Sequence, residues 1–282
     1  MVFLKRFFDL ILFGNIFVAL GTVCLIQSTV VQLNAPSHFF YYSLLSFFAT
    51  LFIYNLQRVF YDKQKNKALH SVRRKWIFEN QLAIKILSTI GFLGVSVFFF
   101  FNDYKIIFYL SPLLILSIAY FLPFVKLRKS AWFKLLTLTS VWTMVTAVVP
   151  VFLMQQEIFT FQNSLHILVR FAFMLAICIP FDIRDFDIDK ADNISTIPHL
   201  IGENKTRWIA FAFMILYILL IIVEYHFEMF GLKIFLGLLL SAFINAVFVL
   251  MSSPKRSEYF FVAGLDGTMI LQGVMLVIFY YL

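Results

Sequence analysis

The chain has 282 residues, of which 62% are hydrophobic and only 13% are charged, and its mean hydropathy is +0.90. Soluble globular domains carry about 25% charged and about 45–50% apolar residues, so this composition excludes a soluble domain. It equally excludes a disordered, collagen-like or disulfide-rich chain. The formal net charge of +8 points to the cytoplasmic face of a membrane rather than to nucleic acid.

The apolar residues fall into nine runs that are separated by short polar segments. A helix needs about 20 apolar residues to cross the hydrocarbon core of a bilayer, and each run has about that length. We therefore predict an all-α, multi-pass transmembrane bundle of nine spans that forms one domain over residues 1–282. The predicted spans are residues 10–33, 38–60, 83–101, 106–125, 131–154, 164–181, 208–224, 231–250 and 258–281.

The distribution of lysine and arginine predicts how these spans are oriented. If the N-terminus is inside, the inner segments are the N-terminus and the loops after spans 2, 4, 6 and 8. Together with Arg58 and Lys134 at the adjoining ends of spans 2 and 5, these contain 19 of the 23 basic residues. Cytoplasmic loops of membrane proteins carry the excess of basic residues. We therefore expect a plasma-membrane protein whose N-terminus and even-numbered loops face the cytoplasm.

The segment that follows span 6 contains the densest group of acidic residues. Asp182, Asp185 and Asp189 are spaced i, i+3, i+7, which places three carboxylates on one face of a helix. Carboxylates held so close together repel one another unless a cation lies among them. Oxygen ligands of this kind suit Mg²⁺, which binds a few carboxylates together with the phosphates of a substrate. The alternative is an acidic loop that is simply solvated.

Downstream of the aspartates, Thr196, Pro198 and Gly202 form a turn that closes the loop before span 7. The pattern Asp-x-x-Asp-x-x-x-Asp followed by Thr-x-Pro-x-x-x-Gly, at the end of the sixth of nine spans, resembles the second signature of the UbiA-type prenyltransferase superfamily. The resemblance implies a UbiA-like bundle that transfers a prenyl group from a prenyl diphosphate to an aromatic or other lipophilic acceptor. It also implies that the three aspartates are catalytic and hold Mg²⁺ against the diphosphate.

The first signature of that family, Asn-Asp-x-x-Asp-x-x-x-Asp, is expected at the end of span 2 and is largely lost here. Asn55 matches its first position. The three aspartates are replaced by Leu56, Val59 and Lys63. Asp62 is one residue out of step but lies i+7 from Asn55, so it is the one metal ligand expected on this side. We expect Asn55 and Arg58 to bind the diphosphate, the arginine in place of a second metal cluster. The alternative is that both cap span 2 beside anionic lipid.

A third family element, Tyr-Pro-x-x-Lys-Arg, lies after span 4. Pro123 and Lys126 keep the family spacing here, whereas Tyr120 and Arg128 are displaced. The resemblance makes Tyr120, Lys126 and Arg128 candidates for substrate binding, because lysine holds a phosphate as a point charge and arginine as a bidentate fork. Anchoring of a cytoplasmic loop by its basic residues is the alternative for Lys126 and Arg128.

Polar residues within the spans provide weaker candidates. Asp266 and Gln272 lie inside span 9, where an ionisable or amide side chain indicates either a functional site or a hydrogen bond between helices. We expect Arg170 and Lys85 to extend to the membrane surface or to pair within the bundle. The five histidines show no spacing typical of a transition-metal site.

The sequence therefore favours an intramembrane prenyltransferase that uses Mg²⁺, a prenyl diphosphate and a lipophilic acceptor. Membrane lipids are expected around it, and neither nucleic acid nor a protein partner is indicated. Two alternatives stay open. A catalytically silent relative that binds an isoprenoid or another lipid would explain the lost aspartates. A transporter is the other, although no pair of Gly/Pro-interrupted spans is evident.

Overall fold

The computed structural model of this chain describes residues 2–34, 39–59, 71–102, 105–121, 131–191 and 194–281. Within these ranges the elements are helices joined by turns, with no β strand, so the all-α class is confirmed for them. Two π-helical turns also occur, the first at Met144–Val148 and the second at Phe260–Leu265. The helices are α1 (Val2–Phe13), α2 (Ile16–Gln32), α3 (Phe40–Val59), α4 (Val72–Glu79), α5 (Gln81–Phe99), α6 (Ile106–Phe121), α7 (Ala131–Thr143), α8 (Val149–Leu153), α9 (Phe161–Arg184), α10 (Phe186–Ala191), α11 (Ile197–Ile201), α12 (Glu203–His226), α13 (Leu232–Leu250) and α14 (Gly267–Tyr281).

Six helical segments of the described chain are long and apolar enough to cross a membrane, and the bent α1–α2 pair makes a seventh if it counts as one span. The other two predicted spans coincide with α3 and α6, which do not meet the same criteria. The helix α3 carries Asn55 and Gln57 near its end, and α6 has 16 residues. An integral membrane protein is therefore supported, but the count of nine spans is not confirmed.

The helix α9 lies at the centre of the bundle and packs against α7 on one side and α12 on the other. Its apolar side chains Phe173, Met174 and Ile177 are almost completely buried. Lipid tails are as apolar as leucine, so helices in a bilayer associate through close packing rather than through exclusion of water. This packing fixes α9 and therefore the acidic segment at its end.

The acidic segment continues the path of α9 with only a slight break. Asp185 follows the last residue of α9, and α10 begins at Phe186. The backbone N–H of Asp189 donates to the carbonyl of Asp185 at 2.7 Å, which bridges the break with a helical hydrogen bond. Asp182, Asp185 and Asp189 consequently stay on the same side, as their spacing predicts, and all three line one cavity.

Close helix contacts depend on two glycines. A Cβ atom at Gly91 of α5 would lie 2.6 Å from the backbone nitrogen of Phe52 in α3. A Cβ atom at Gly273 of α14 would lie 2.6 Å from the carbonyl oxygen of Cys24 in α2. Small residues at such points let helix backbones approach closely in a membrane. These two contacts hold α3, α5, α2 and α14 together around the cavity.

Candidate active site

A cavity of about 840 Å³ lies between α2, α3, α5, α6, α7, α9 and α14. Most of its wall is apolar. The charged residues lie at one end, which includes Arg58 of α3, Lys134 of α7 and Asp182 of α9. Along α7 and the π-helical turn that follows it, the lining runs from Lys134 to Val145, a distance of about 16 Å at 1.5 Å per residue. The apolar wall includes Phe92, Val95 and Phe99 of α5, Leu138 and Val141 of α7, and Val145 of the π-helical turn. The cavity therefore has one charged end and a long apolar body.

Lys134 joins two of the three aspartates at the charged end. Its Nζ atom lies 2.7 Å from Asp182 Oδ1 and 2.7 Å from Asp189 Oδ2. All three residues are buried, with exposed fractions of 6% for Lys134, 4% for Asp182 and 1% for Asp189. Buried charges are tolerated when they are paired in good geometry. The lysine ammonium thus compensates two carboxylates that would otherwise repel each other.

The third aspartate is paired with two arginines. Arg184 donates from Nε and from a terminal nitrogen to the two oxygens of Asp185, each at 2.8 Å, and Arg73 of α4 lies 3.5 Å from Asp185 Oδ1. Burial alone would raise the pKa of Asp185, but the guanidinium charges of Arg184 and Arg73 outweigh it and hold that pKa well below its usual range. Asp185 is therefore ionised at physiological pH.

Glu258, in the turn before the last span, completes this ion-pair network. Its Oε2 atom lies 3.7 Å from Arg73 Nε and 4.0 Å from Arg184 Nε, and its Oε1 accepts a hydrogen bond from Ser71. Burial and the nearby charge of Arg184 lower the pKa of Arg73. Six basic and four acidic side chains line the cavity in all, so its charged end favours an anion.

The comparisons with known proteins identify the fold. No family model matches the sequence, and no curated protein is significantly similar to it in sequence. A UbiA homologue from Archaeoglobus fulgidus, solved with GPP and Mg²⁺, matches with a TM-score of 0.65 over 96% of this chain and 100% of its own, at 10% identity. A UbiA homologue from Aeropyrum pernix K1, solved without ligand, matches with a TM-score of 0.60 over 92% and 97%, at 14% identity. This chain has the UbiA-type fold.

A digeranylgeranylglyceryl phosphate synthase matches as well, with a TM-score of 0.56 over 99% of this chain and 98% of its own, at 15% identity. The resemblance to UbiA-type proteins is thereby confirmed at the level of the fold. These matches extend over 92–99% of this chain.

The predicted substrate-binding residues are only partly brought together. Arg58 lines the charged end of the cavity and donates a hydrogen bond to the carbonyl of Phe13. Asn55 is fully buried and bonded within the bundle, and it is not among the residues that line the cavity. Tyr120 lies in α6, in a stretch whose side chains are not described. Asp62, Lys126 and Arg128 lie outside the described residues.

The Thr-x-Pro-x-x-x-Gly part of the second signature shapes the loop before α12 and does not line the cavity. The Thr196 hydroxyl lies 2.7 Å from His199 Nδ1, and His199 Nε2 lies 3.0 Å from the carbonyl oxygen of Phe186. The His199 ring also stacks on the Phe186 ring with centroids 4.4 Å apart. Gly202 has φ 84°, a conformation that glycine adopts without strain, and ends the short helix that begins with Pro198 at its second position. These contacts hold α10, and with it Asp189, against α11.

The side chains as arranged do not fit Mg²⁺. A magnesium site needs oxygens directed at one octahedral position. Here one oxygen of Asp182 and one oxygen of Asp189 contact Lys134, and both oxygens of Asp185 contact Arg184. Within the described residues, no group of three histidine, cysteine, aspartate or glutamate side chains is placed to hold a metal ion. The predicted metal ligands of the second signature are thus paired with cations of the chain itself.

Two polar residues of the last span take different roles. Gln272 Nε2 donates to the Tyr217 hydroxyl at 2.9 Å, which is a hydrogen bond between α14 and α12. Asp266 instead lines the cavity. Among the described residues it makes no hydrogen bond or ion pair through its side chain. An ionisable group in that position indicates a functional role.

Sequence reasoning overlooked four of the charged residues at this site: Lys134, Arg73, Arg184 and Glu258. Lys134 had a recognisable signal, since it is a charged residue within the apolar run 131–154, and charges at such depth are expensive. Arg184 lies inside the acidic signature itself. Arg73 lies in α4 and Glu258 at the start of the last predicted span, and only the folded chain brings them to the aspartates.

Proposed function

We propose that this protein transfers a prenyl group, within the membrane, from a prenyl diphosphate to a lipophilic acceptor that is aromatic. The observation that carries the proposal is one cavity that joins a cationic end to an apolar body. A prenyl diphosphate has the same division into a charged head and a hydrocarbon tail. The UbiA-type fold supports the proposal, because one homologue with that fold was solved with GPP.

The diphosphate is placed at the charged end. Arg58, Arg73 and Arg184 come from α3, α4 and α9 and all line this end of the cavity. Guanidinium groups bind phosphate oxygens through charge-assisted hydrogen bonds, often two at a time. The prenyl tail then extends along α5 and α7, where the lining is apolar and excludes water.

The proposed reaction breaks the bond between the allylic carbon and the diphosphate oxygen, and the electron pair leaves with the oxygen. The charged end stabilises that leaving group, as preorganised donors do where charge develops. The aromatic rings of Tyr54 and Trp142 line the cavity, and Trp142 Nε1 donates to the Tyr54 hydroxyl at 3.2 Å. Their faces favour the positive charge left on the allylic carbon.

The acceptor then forms the new bond to the allylic carbon and loses a proton. We assign that proton to Asp266, the cavity carboxylate that makes no side-chain ion pair with another described residue. Asp182, Asp185 and Asp189 are less suited to this task because each carboxylate is already paired with a cation, Lys134 or Arg184. In this proposal the arginines bind the diphosphate of the substrate, and the carboxylate of Asp266 accepts the proton of the acceptor.

The resemblance to UbiA-type enzymes also implies Mg²⁺, with which the A. fulgidus homologue was solved together with GPP. When bound, such an ion would neutralise the leaving diphosphate. In this chain the arginines and Lys134 surround the carboxylates that would hold it. The steps above therefore use only side chains of the protein.

We further propose that the charged end of the cavity faces the cytoplasm. The predicted orientation can be tested with single cysteines at Gln162 and Lys190, both exposed and at opposite ends of the α9–α10 segment, in a variant that lacks Cys24 and Cys178. A membrane-impermeant maleimide should label the first position from outside intact cells and the second only after lysis. The reverse pattern would contradict the orientation.

The function is tested by reconstituting the purified protein in liposomes with lipid extracted from cells that make it. Tritium-labelled geranyl diphosphate is the probe. We expect the label to enter a lipid product while one diphosphate is released for each prenyl group transferred. Binding of the probe without any diphosphate release would instead support the catalytically silent alternative.

A further inference from the structure

Building on the proposed function, we propose that Lys134 takes the place of a metal ion between Asp182 and Asp189, so that this protein binds prenyl diphosphate without Mg²⁺. The metal-bound homologue uses the same fold. In this chain the position between the two carboxylates is instead filled by an ammonium group that belongs to α7.

The geometry of Lys134 supports this substitution. Its Nζ atom is 2.7 Å from one oxygen of each aspartate, and the two aspartates are seven residues apart on adjoining helices. A cation that bridges two carboxylates in this way performs the electrostatic task of a metal ion. An additional Mg²⁺ at the same carboxylates would lie beside a buried ammonium group, and the two positive charges would repel each other strongly.

The burial of this group argues for a fixed role rather than an incidental contact. The Lys134 side chain is 8% exposed, and the side chains of Asp182 and Asp189 are 6% and 1% exposed. Removing one partner from a buried ion pair leaves an uncompensated charge, which is strongly unfavourable. The other oxygen of Asp182 is buried without a hydrogen-bond partner in the described structure, so this residue already depends on Lys134 for compensation.

The rest of the charged end follows the same pattern. Asp185 is neutralised by Arg184 and Arg73 rather than left open to a metal ion. On α3, which contributes to the opposite wall, Leu56 and Val59 stand where the family signature has aspartates, and Arg58 lies beside Val59. One wall therefore keeps its carboxylates but pairs them with cations of the chain, and the other has neutral side chains where the signature has carboxylates. Both features reduce the need for a divalent cation.

The test is a titration of the full-length protein in nanodiscs with an unreactive thio analogue of geranyl diphosphate, measured in EDTA and in Mg²⁺. We expect the wild-type dissociation constants in the two conditions to agree within about twofold. The corresponding difference in binding free energy is smaller than the contribution of one hydrogen bond. Lys134→Met should weaken binding in EDTA by about ten- to a hundredfold, since the charge-assisted pairing of its ammonium group with Asp182 and Asp189 is lost. Mg²⁺ should restore binding to this variant, because both carboxylates are then open to the metal.

Lys190→Met is the matched control, because it removes a lysine that is exposed and adjacent to Asp189 in the chain. It should bind like the wild type in both buffers. If Lys134→Met does not fold, the comparison of the wild type in EDTA and Mg²⁺ still decides the question. Wild-type binding that requires Mg²⁺ would overturn the role of Lys134 and leave the proposed function intact. No binding in either buffer would overturn the proposed function itself.

Discussion

Asn15 Nδ2 donates a hydrogen bond of 3.1 Å to Asn55 Oδ1, and this bond joins the break between α1 and α2 to the end of α3. Asn15 has φ 64°, a left-handed conformation that asparagine tolerates better than most residues. The amide of Asn55 also donates to the carbonyls of Gly14 at 3.0 Å and Leu51 at 2.8 Å. The asparagine that matches the first position of the eroded signature is thus bonded to the 57° bend of the first span.

Asn55→Ala should therefore reduce stability rather than substrate affinity. The change leaves Asn15 and a backbone carbonyl without partners in a buried place, which typically costs about 1–3 kcal/mol. Thermal unfolding in detergent, followed by tryptophan fluorescence, measures the effect. Asn245→Ala is the control, since both amide atoms of Asn245 are buried without a partner in the described structure. A large loss of geranyl diphosphate affinity in a stable Asn55→Ala protein would show that Asn55 binds substrate.

Filling the apolar body of the cavity should block the prenyl tail. Leu138 lies one turn beyond Lys134 on α7 and lines the cavity, so tryptophan at this position would occupy the space proposed for the tail. We expect Leu138→Trp to weaken geranyl diphosphate binding by at least about tenfold, equivalent to 1.4 kcal/mol. Inorganic diphosphate, which has no tail, should bind as before.

The control for this substitution is Leu136→Trp. Leu136 is on the same helix but 46% exposed at the surface of the bundle. Its replacement should leave binding unchanged. Equal losses for the two variants would indicate a general effect on α7 rather than a blocked cavity.

Arg58 should contribute directly to diphosphate affinity. Its guanidinium lines the charged end, and a charge-assisted hydrogen bond is worth about 1.5–3 kcal/mol. Arg58→Leu should therefore weaken binding of geranyl diphosphate by about ten- to a hundredfold. Arg256→Leu removes an exposed arginine outside the cavity and should have no such effect. Unchanged affinity after loss of Arg58 would mean that this residue serves only its bond to the Phe13 carbonyl.

Asp266 is expected to matter for transfer and not for binding. Asp266→Asn removes the proposed proton acceptor, and general-base contributions are typically about 10²- to 10⁴-fold in rate. Binding of geranyl diphosphate should not weaken, because the substitution also removes a negative charge from an anion site. The measurement is label transfer to lipid alongside equilibrium binding, with the exposed Asp187→Asn as control. A variant that transfers at the wild-type rate would exclude Asp266 as the base.

The sequence predicted the helices and the shared face of the three aspartates because both depend on local periodicity. Apolar runs of about 20 residues and the spacing of Asp182, Asp185 and Asp189 are visible in the chain itself. The break at Asn15 was not predicted, since its neighbours continue an apolar run. The helix α3, Phe40–Val59, lies within the predicted span 38–60, yet the polar side chains near its end keep that helix below the hydropathy of a clear span.

The partners of the aspartates could not be predicted, because they come from distant parts of the chain. Lys134 is 55 residues from Asp189, and Arg73 is 112 residues from Asp185. Their proximity depends on how α4, α7 and α9 pack, and no local pattern encodes that packing. Three carboxylates without known partners favour a metal ion as the compensating cation. Three carboxylates with a lysine and two arginines beside them do not require one.

The most direct test of the account is photolabelling with a prenyl diphosphate whose tail carries a benzophenone, followed by mass spectrometry of the labelled peptides. The account predicts label on the cavity-facing residues of α5, α7 and the π-helical turn after α7, such as Phe92, Phe99, Val141 and Val145. Excess geranyl diphosphate should suppress this label, whereas geraniol, which lacks the charged head, should not. Label confined to lipid-facing residues such as Phe133 and unaffected by geranyl diphosphate would contradict a prenyl diphosphate site in this cavity.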